Sequence, residues 1–185
     1  GRSGWVHSLR VNHVFRKVGL ASRFIQHCVD TSRDRGLATV RLATSPTNEP
    51  LHRIGKKLGF QSLSSYRYVT ADGLEDSENG SCTSVRQLEP RELGLVEDFL
   101  HSREAWRRGH RTQCVNWTWV DLDHDSMGAM LARGWVYGFL PDGRLEGVAL
   151  TYQEQDSDWL FLSRIDGSPQ SIEALGRFLR CQGNV

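Results

Sequence analysis

Phe15-Arg16-Lys17-Val18-Gly19-Leu20-Ala21 is the stretch on which the fold depends. A basic link meets a single glycine, and the glycine opens an apolar-periodic run. Leu20, Phe24 and Cys28 recur at helical spacing, flanked by Ala21, Ile25 and Val29, with Arg23, Gln26 and Asp30 opposite. Upstream, Trp5, Leu9 and Val11 alternate against Ser8 and Arg10, which predicts a strand over Trp5 to Val11. The unit is therefore strand, glycine turn, helix. Glycine at that turn lets backbone approach a ligand and point successive N–H groups one way. The helix start adds unpaired amide donors and the positive end of its dipole. Such a turn suits a phosphate or pyrophosphate, although it lacks the spacing of a glycine-rich loop followed by Lys-Ser/Thr.

Downstream, Gly36 closes the helix and Ala38 to Ala43 predicts a second strand. Thr47 or Asn48 can cap another helix, with Pro50 in its first turn and Leu51, Ile54 and Leu58 as its stripe. Gly59 ends it, and Gln61 to Thr70 predicts a third strand. Ala71 to Ser84 is acidic, small and turn-rich, the composition of an exposed linker. Beyond it, Ser84 to Leu88 predicts a strand, and Pro90 starts a helix carrying Leu93, Val96 and Leu100. Polar Arg103 to Arg111 leads to a second helix ending at Gly134. Strands over Trp135 to Leu140 and Arg144 to Gln153 are joined by Pro141-Asp142-Gly143, a hairpin signal. Trp159 to Ile165 predicts another strand, and Pro169 to Arg180 a helix with Ile172, Leu175 and Leu179 inward.

The 185 residues suffice for one large domain or two small ones. With 38% hydrophobic and 24% charged residues, wholesale disorder is excluded. No apolar run reaches the roughly 20 residues of a spanning helix, so no membrane partner is expected. The net charge of +1 argues against a generalised nucleic-acid surface. Cys28, Cys82, Cys114 and Cys181 make no paired metal-ligand spacing, and the seven histidines are scattered, so no metal is expected. Cys28 within an apolar stripe reads as a buried free thiol, and the first residues carry no secretion signal. The expectation is a cytoplasmic protein in a reducing compartment, with a homodimer as its possible assembly.

Ser8-Leu9-Arg10-Val11, the Phe15–Ala21 stretch, Val40-Arg41-Leu42, Asn48 and Lys57-Leu58-Gly59-Phe60 follow in an order that resembles the GNAT family of acetyl-CoA-dependent N-acetyltransferases. Residues 16–21 match that family's Arg/Gln-x-x-Gly-x-Gly/Ala pyrophosphate loop, and Leu58-Gly59-Phe60 matches the Leu-Gly-Phe ending its fourth helix. The resemblance, over residues 5–70, implies an α/β (α+β) fold with a mixed, mostly antiparallel sheet covered by helices. It implies acetyl-CoA as cofactor and acetyl transfer to a primary amine of a small molecule or amino acid. By the same resemblance, backbone amides of Arg16, Lys17, Val18, Gly19, Leu20 and Ala21 hold the pyrophosphate. Leu9, Arg10 and Val11 pair with the pantetheine arm and hold the thioester carbonyl, and Asn48 stands near the cofactor. Attack on that carbonyl needs a neutral amine, hence a base, and the departing thiolate takes up a proton. Gly55 occupies the position where the family usually has its tyrosine acid; Tyr66 or Tyr68 on the following strand are the substitutes. His7 is the candidate base, in a pKa range suited to the task, with Glu49 as another candidate.

Set against a complete fold of this family, residues 1–71 resemble its C-terminal half, residues 72–83 a linker, and residues 84–185 the N-terminal half of a second, degenerate domain. There the loop is Asp166-Gly167-Ser168-Pro169, without the pyrophosphate spacing. The arrangement is similar to tandem-domain members such as the histidine N-acetyltransferase-like proteins. It leaves open a pair of half-domains or a permuted fold, and the expectation is one continuous mixed sheet. A non-catalytic acyl-CoA-sensing or interaction domain is the alternative function, favoured by Gly55. Arg103 to Asn116 is expected to contact the acceptor. Arg103, Arg107, Arg108 and Arg111 beside Trp106, Trp117 and Trp119 read as a solvated helix end and packing cluster rather than a nucleic-acid surface, and Asp121, Asp123 and Asp125 as helix-capping acids.

Overall fold

The computed structural model describes residues 3–65, 69–71, 83–109, 111–115, 118–153 and 159–182. In chain order the elements are β1 (Ser3–Val6), α1 (Leu20–Asp34), β2 (Thr39–Leu42), α2 (Glu49–Lys57), β3 (Val85–Gln87), α3 (Leu93–Ser102), α4 (Glu104–Arg108), β4 (Thr112–Val115), β5 (Thr118–Asp121), α5 (His124–Ala132), β6 (Val136–Phe139), β7 (Gly147–Gln153), β8 (Leu160–Gly167) and α6 (Pro169–Arg180). They fall into two compact units, residues 1–63 with 116–120, and residues 64–115 with 121–185.

In the first unit β1 pairs in parallel with β2, Ser3 opposite Thr39 and Val6 opposite Leu42. The connection is α1, whose face toward β1 is close: a Cβ on Gly4 would lie 2.9 Å from Ser32 Oγ and 3.1 Å from Leu37 Cδ1. Glycine there is a packing requirement. Ile25 of α1 is fully buried. Leu20 and Phe24, expected in the same buried stripe, are 41% and 48% exposed, because α1 turns Ile25 rather than that edge inward. Cys28, expected buried, is partly exposed, and like Cys114 and Cys181 it forms no disulfide. Asn48 caps α2 by accepting from the Leu51 amide at 3.3 Å. Gly36 and Gly59, both at positive φ, stop α1 and α2.

The strand expected over Trp5 to Val11 ends at Val6. Ser8 has φ +52°, and a left-handed residue breaks the pleat, so residues 7–12 run on without strand pairing. The expected third strand is not formed in its described part, 61–65 and 69–70.

The second unit is built on an antiparallel sheet in the order β3-β6-β7-β8. The Pro141–Gly143 turn closes the β6–β7 hairpin, with Phe139 opposite Gly147. One face of the sheet packs on α6, where Leu175 and Leu179 meet Phe139, Ala149 and Leu160. The other packs on α3, α4 and α5, where Val96, Leu100, Trp106, Met127 and Leu131 meet Val136, Val148 and Leu150. Each such side chain taken fully from water contributes roughly 1.5–3 kcal/mol. Ile172 of α6, expected inward, is 39% exposed. The polar lead-in over Arg103 to Arg111 contains α4, and β4 and β5 precede α5, which sequence reading did not resolve. The fold is mixed α/β with its main sheet antiparallel, but among the described residues β1–β2 and the four-stranded sheet share no strand pairing, so the expected continuous sheet does not form there.

Candidate functional site

The first unit holds a cleft of about 600 Å³ between residues 7–12 and the first two turns of α1. The α1 wall is one helical stripe, Leu20, Arg23, Phe24 and His27, at spacings i, i+3, i+4 and i+7. The facing wall includes His7, Leu9, Arg10 and Val11, and Phe15 stands at the end. The walls are apolar along their length and carry the cations Arg10 and Arg23. That combination accommodates an anion attached to a less polar arm.

The turn into α1 is held by its own side chains. Asn12 accepts from the Val14 amide at 3.2 Å and caps the short helical turn His13–Phe15. Arg16 Nε donates to the Val11 carbonyl at 3.1 Å, tying the turn back to the cleft wall. Arg23 Nη2 reaches the Val18 carbonyl at 3.5 Å. Lys17 and Gly19 both lie at positive φ, +66° and +83°, on either side of Val18. Gly19 is the N-cap of α1 and has no side chain to cap its first amides. Those N–H groups, the dipole and Arg16, Lys17 and Arg23 gather positive potential at this end. The chemistry of the donor set fits a pyrophosphate, and the apolar walls fit the arm of an acyl-CoA.

His7 is at the strand end of the cleft, where its Nε2 lies 3.1 Å from Thr118 Oγ1. When Nε2–H donates to that hydroxyl, Nδ1 keeps a free lone pair and can take a proton. Trp5 next to it stacks on Trp119, ring centres 5.8 Å apart. Both contacts lie within the first unit.

Of the residues expected at the site, His7, Leu9, Arg10, Val11 and Leu20 line the cleft, while Arg16, Lys17, Val18 and Gly19 form the turn at its end and Ala21 lies in the first turn of α1. Asn48 is not on the cleft wall; its amide is engaged by the Leu51 N–H and, through Nδ2, by Thr44 Oγ1 at 2.9 Å. Glu49 sits in the first turn of α2, where it complements the helix dipole. Tyr66 and Tyr68 lie outside the described residues. Sequence reading missed Arg23, Phe24 and His27 as cleft residues. In the sequence Phe24 falls in the core stripe with Leu20 and Cys28, Arg23 lies on the opposite face and His27 has no role, so the i, i+3, i+4, i+7 set goes unread. Asp123 caps α5 as expected, through the Ser126 amide at 2.9 Å. Among the described residues no group of three His, Cys, Asp or Glu is placed to hold a metal ion, and no helix is long and apolar enough to cross a membrane.

Residues 1–60 match the acetyltransferase (GNAT) family. No solved structure matches the chain.

Proposed function

We propose, from the GNAT-family segment carried by residues 1–60, that the chain is an N-acetyltransferase using acetyl-CoA, with a primary amine of a small molecule or amino acid as acceptor. The family supports acyl transfer as the reaction class. The observation that carries the finer reading is the turn at Lys17–Gly19, which joins an amide-rich, cationic helix start to an apolar cleft. Acetyl-CoA supplies the activated acyl group. Backbone amides from Lys17 to Ala21 hold its pyrophosphate, the Arg16 amide being taken by the His13 carbonyl at 3.3 Å, and Arg10 and Arg23 add charge at the cleft wall. Residues 7–12, free of strand pairing, offer backbone groups to the pantetheine arm. His7 Nδ1 takes the proton from the acceptor ammonium, with Thr118 holding the ring.

Acetyl-CoA should raise the melting temperature by preferential binding to the native state. Gly19→Val forces a β-branched residue into φ +83° and should abolish that rise; an undiminished rise would remove this turn from the site.

A non-catalytic acyl-CoA sensor is favoured by one observation. Gly55, at the position of the family tyrosine, is buried against Phe60 and carries no hydroxyl. Thioester cleavage over a panel of primary amines separates the two readings. A sensor binds acetyl-CoA without amine-dependent release of free thiol.

A further inference from the structure

The cleft of the first unit is one-sided in charge. Its polar lining is His7, Ser8, Arg10, Asn12, Arg23 and His27, and none of the described residues that line it is Asp or Glu. Several of these groups are committed. Asn12 caps the His13–Phe15 turn, Arg23 Nη2 reaches the Val18 carbonyl at 3.5 Å, and His7 Nε2 lies 3.1 Å from Thr118 Oγ1. Asp30, the acid nearest to the cleft residues in sequence, already accepts from Arg33 and Gln26, each at 3.0 Å. Arg10 differs. It is exposed on the cleft wall, and among the described residues it enters no hydrogen bond or ion pair.

Arg10 stands on the stretch between His7, at the strand end of the cleft, and the Lys17–Gly19 turn at the other end. Three positions separate it from His7, so the two Cα atoms lie within about 11 Å. The phosphates of the donor belong at the turn, with the helix-start amides and Lys17, and its thioester end carries no charge. At the His7 end the donor therefore leaves Arg10 unmatched. An acceptor bearing only an ammonium brings a second positive charge beside that guanidinium. An amino acid arrives as a zwitterion, and its carboxylate can take two parallel N–H···O bonds from the guanidinium fork. Like charge rejects the first acceptor and charge-assisted pairing retains the second.

We propose that the acceptor of the acetyltransferase reading, on which this inference rests, is an amino acid, and that Arg10 selects it by holding its carboxylate while its amine faces His7 Nδ1. In the transfer the amine nitrogen forms the new C–N bond and the thioester C–S bond breaks. Of the two protons that the ammonium loses, one passes through His7 to solvent and the other ends on the departing thiolate. Arg10 makes no bond to the reacting atoms, so its effect falls on acceptor KM.

The test pairs glycine, leucine, phenylalanine, glutamate, lysine and histidine each with its own α-amide, which keeps the side chain and the amine and removes the α-carboxylate. Amine-dependent thiol release by the intact chain should give a kcat/KM at least tenfold higher for the preferred acid than for its amide, carried by KM. Calorimetry with CoA present should show the same ratio in Kd without turnover. Arg10→Gln should bring acid and amide within about twofold of each other, and Arg10→Lys should keep part of the preference. Equal values for acids and amides in wild type would overturn the selection and leave the acetyltransferase reading standing. A rise in KM for acetyl-CoA in Arg10→Gln, with the acid-to-amide ratio intact, would also overturn it by assigning Arg10 to the donor's phosphates. If acetyl-CoA raises the melting temperature while no amine releases thiol, the acetyltransferase reading itself fails, and the selection with it. Should Arg10→Gln not fold, the wild-type ratio decides alone.

Discussion

At Gly19 the constraint is conformational. A Cβ built there meets nothing within 4 Å, yet φ is +83°. The cost of a side chain is then that of the left-handed region, roughly 1–2 kcal/mol for an ordinary residue and less for Asn, whose short side chain tolerates it. Urea denaturation should rank the variants wild type, Gly19→Asn, Gly19→Ala, Gly19→Val in falling stability. An alanine variant as stable as wild type would show that the turn relaxes out of its conformation. His7 makes a second prediction at this scale. Its Nε2 lies 3.1 Å from Thr118 Oγ1, 111 positions along the chain. Thr118→Val keeps the shape and removes the bond, so kcat should fall about tenfold while KM for acetyl-CoA stays unchanged, in line with a modest positioning contribution. Thr118→Ser should restore the rate. Equal loss in both variants would assign Thr118 a packing role instead. The family resemblance offers His7 as a candidate base from its place on the expected strand, which the structure ends one residue earlier at Val6, whereas no sequence signal connects Thr118 to it.

Helix ends are where sequence and structure agree most closely. Asn48, Asp123 and Pro169 open α2, α5 and α6, and Gly36, Gly59 and Gly134 follow α1, α2 and α5 at positive φ. Caps and left-handed stops are local, so a few residues suffice to specify them. The short strands were less legible. β4 and β5 have four residues each, too few for alternation to separate them from a helix start, and the end of β1 is set by Ser8 at φ +52°, a conformation that serine does not announce. The cleft wall was hidden for a related reason, since an apolar stripe signals contact with something other than water and does not say whether that is a core or a ligand. The entry to α3 supports a pH prediction. Glu92 accepts the Glu89 amide at 2.9 Å and takes both ends of the Arg86 guanidinium, at 2.9 and 2.6 Å. The Arg86 hydrogen bonds hold its carboxyl at about 2, below its usual 4.5. The folded-state pKa is the lower one, so this stabilisation is complete above about pH 4.5 and is lost as pH falls toward 2. Denaturation midpoints across that window should decline in wild type and decline less steeply in Glu92→Gln. Parallel slopes would remove Glu92 from the acid limb.

Across the whole chain the two units differ in how much apolar surface they bury. Among the described residues Ile25 is the one large apolar side chain of the first unit that is buried, whereas the second buries Leu88, Val96, Leu100, Val136, Leu150, Leu175 and others on both faces of its sheet. The first unit instead leaves Val14, Phe15, Val18, Leu20 and Phe24 exposed by 41–63%, all within the turn and the start of α1 that form or adjoin the cleft. Its elements therefore rest on the parallel β1–β2 pair, the close contact at Gly4 and side-chain ties such as Arg16 to Val11, with little burial behind them. Local opening free energy follows buried contact, so amides of α1 should exchange with solvent at least a hundredfold faster than those of β7, whose residues 147–152 are buried. A site whose apolar walls are left open gains most from what fills it. Saturating acetyl-CoA should slow exchange along α1 and leave β7 unchanged, because binding energy delivered to the less stable unit appears there as protection. Equal protection of α1 and β7 without ligand would mean that the first unit unfolds only with the second, and the difference in buried surface would then not govern their stabilities.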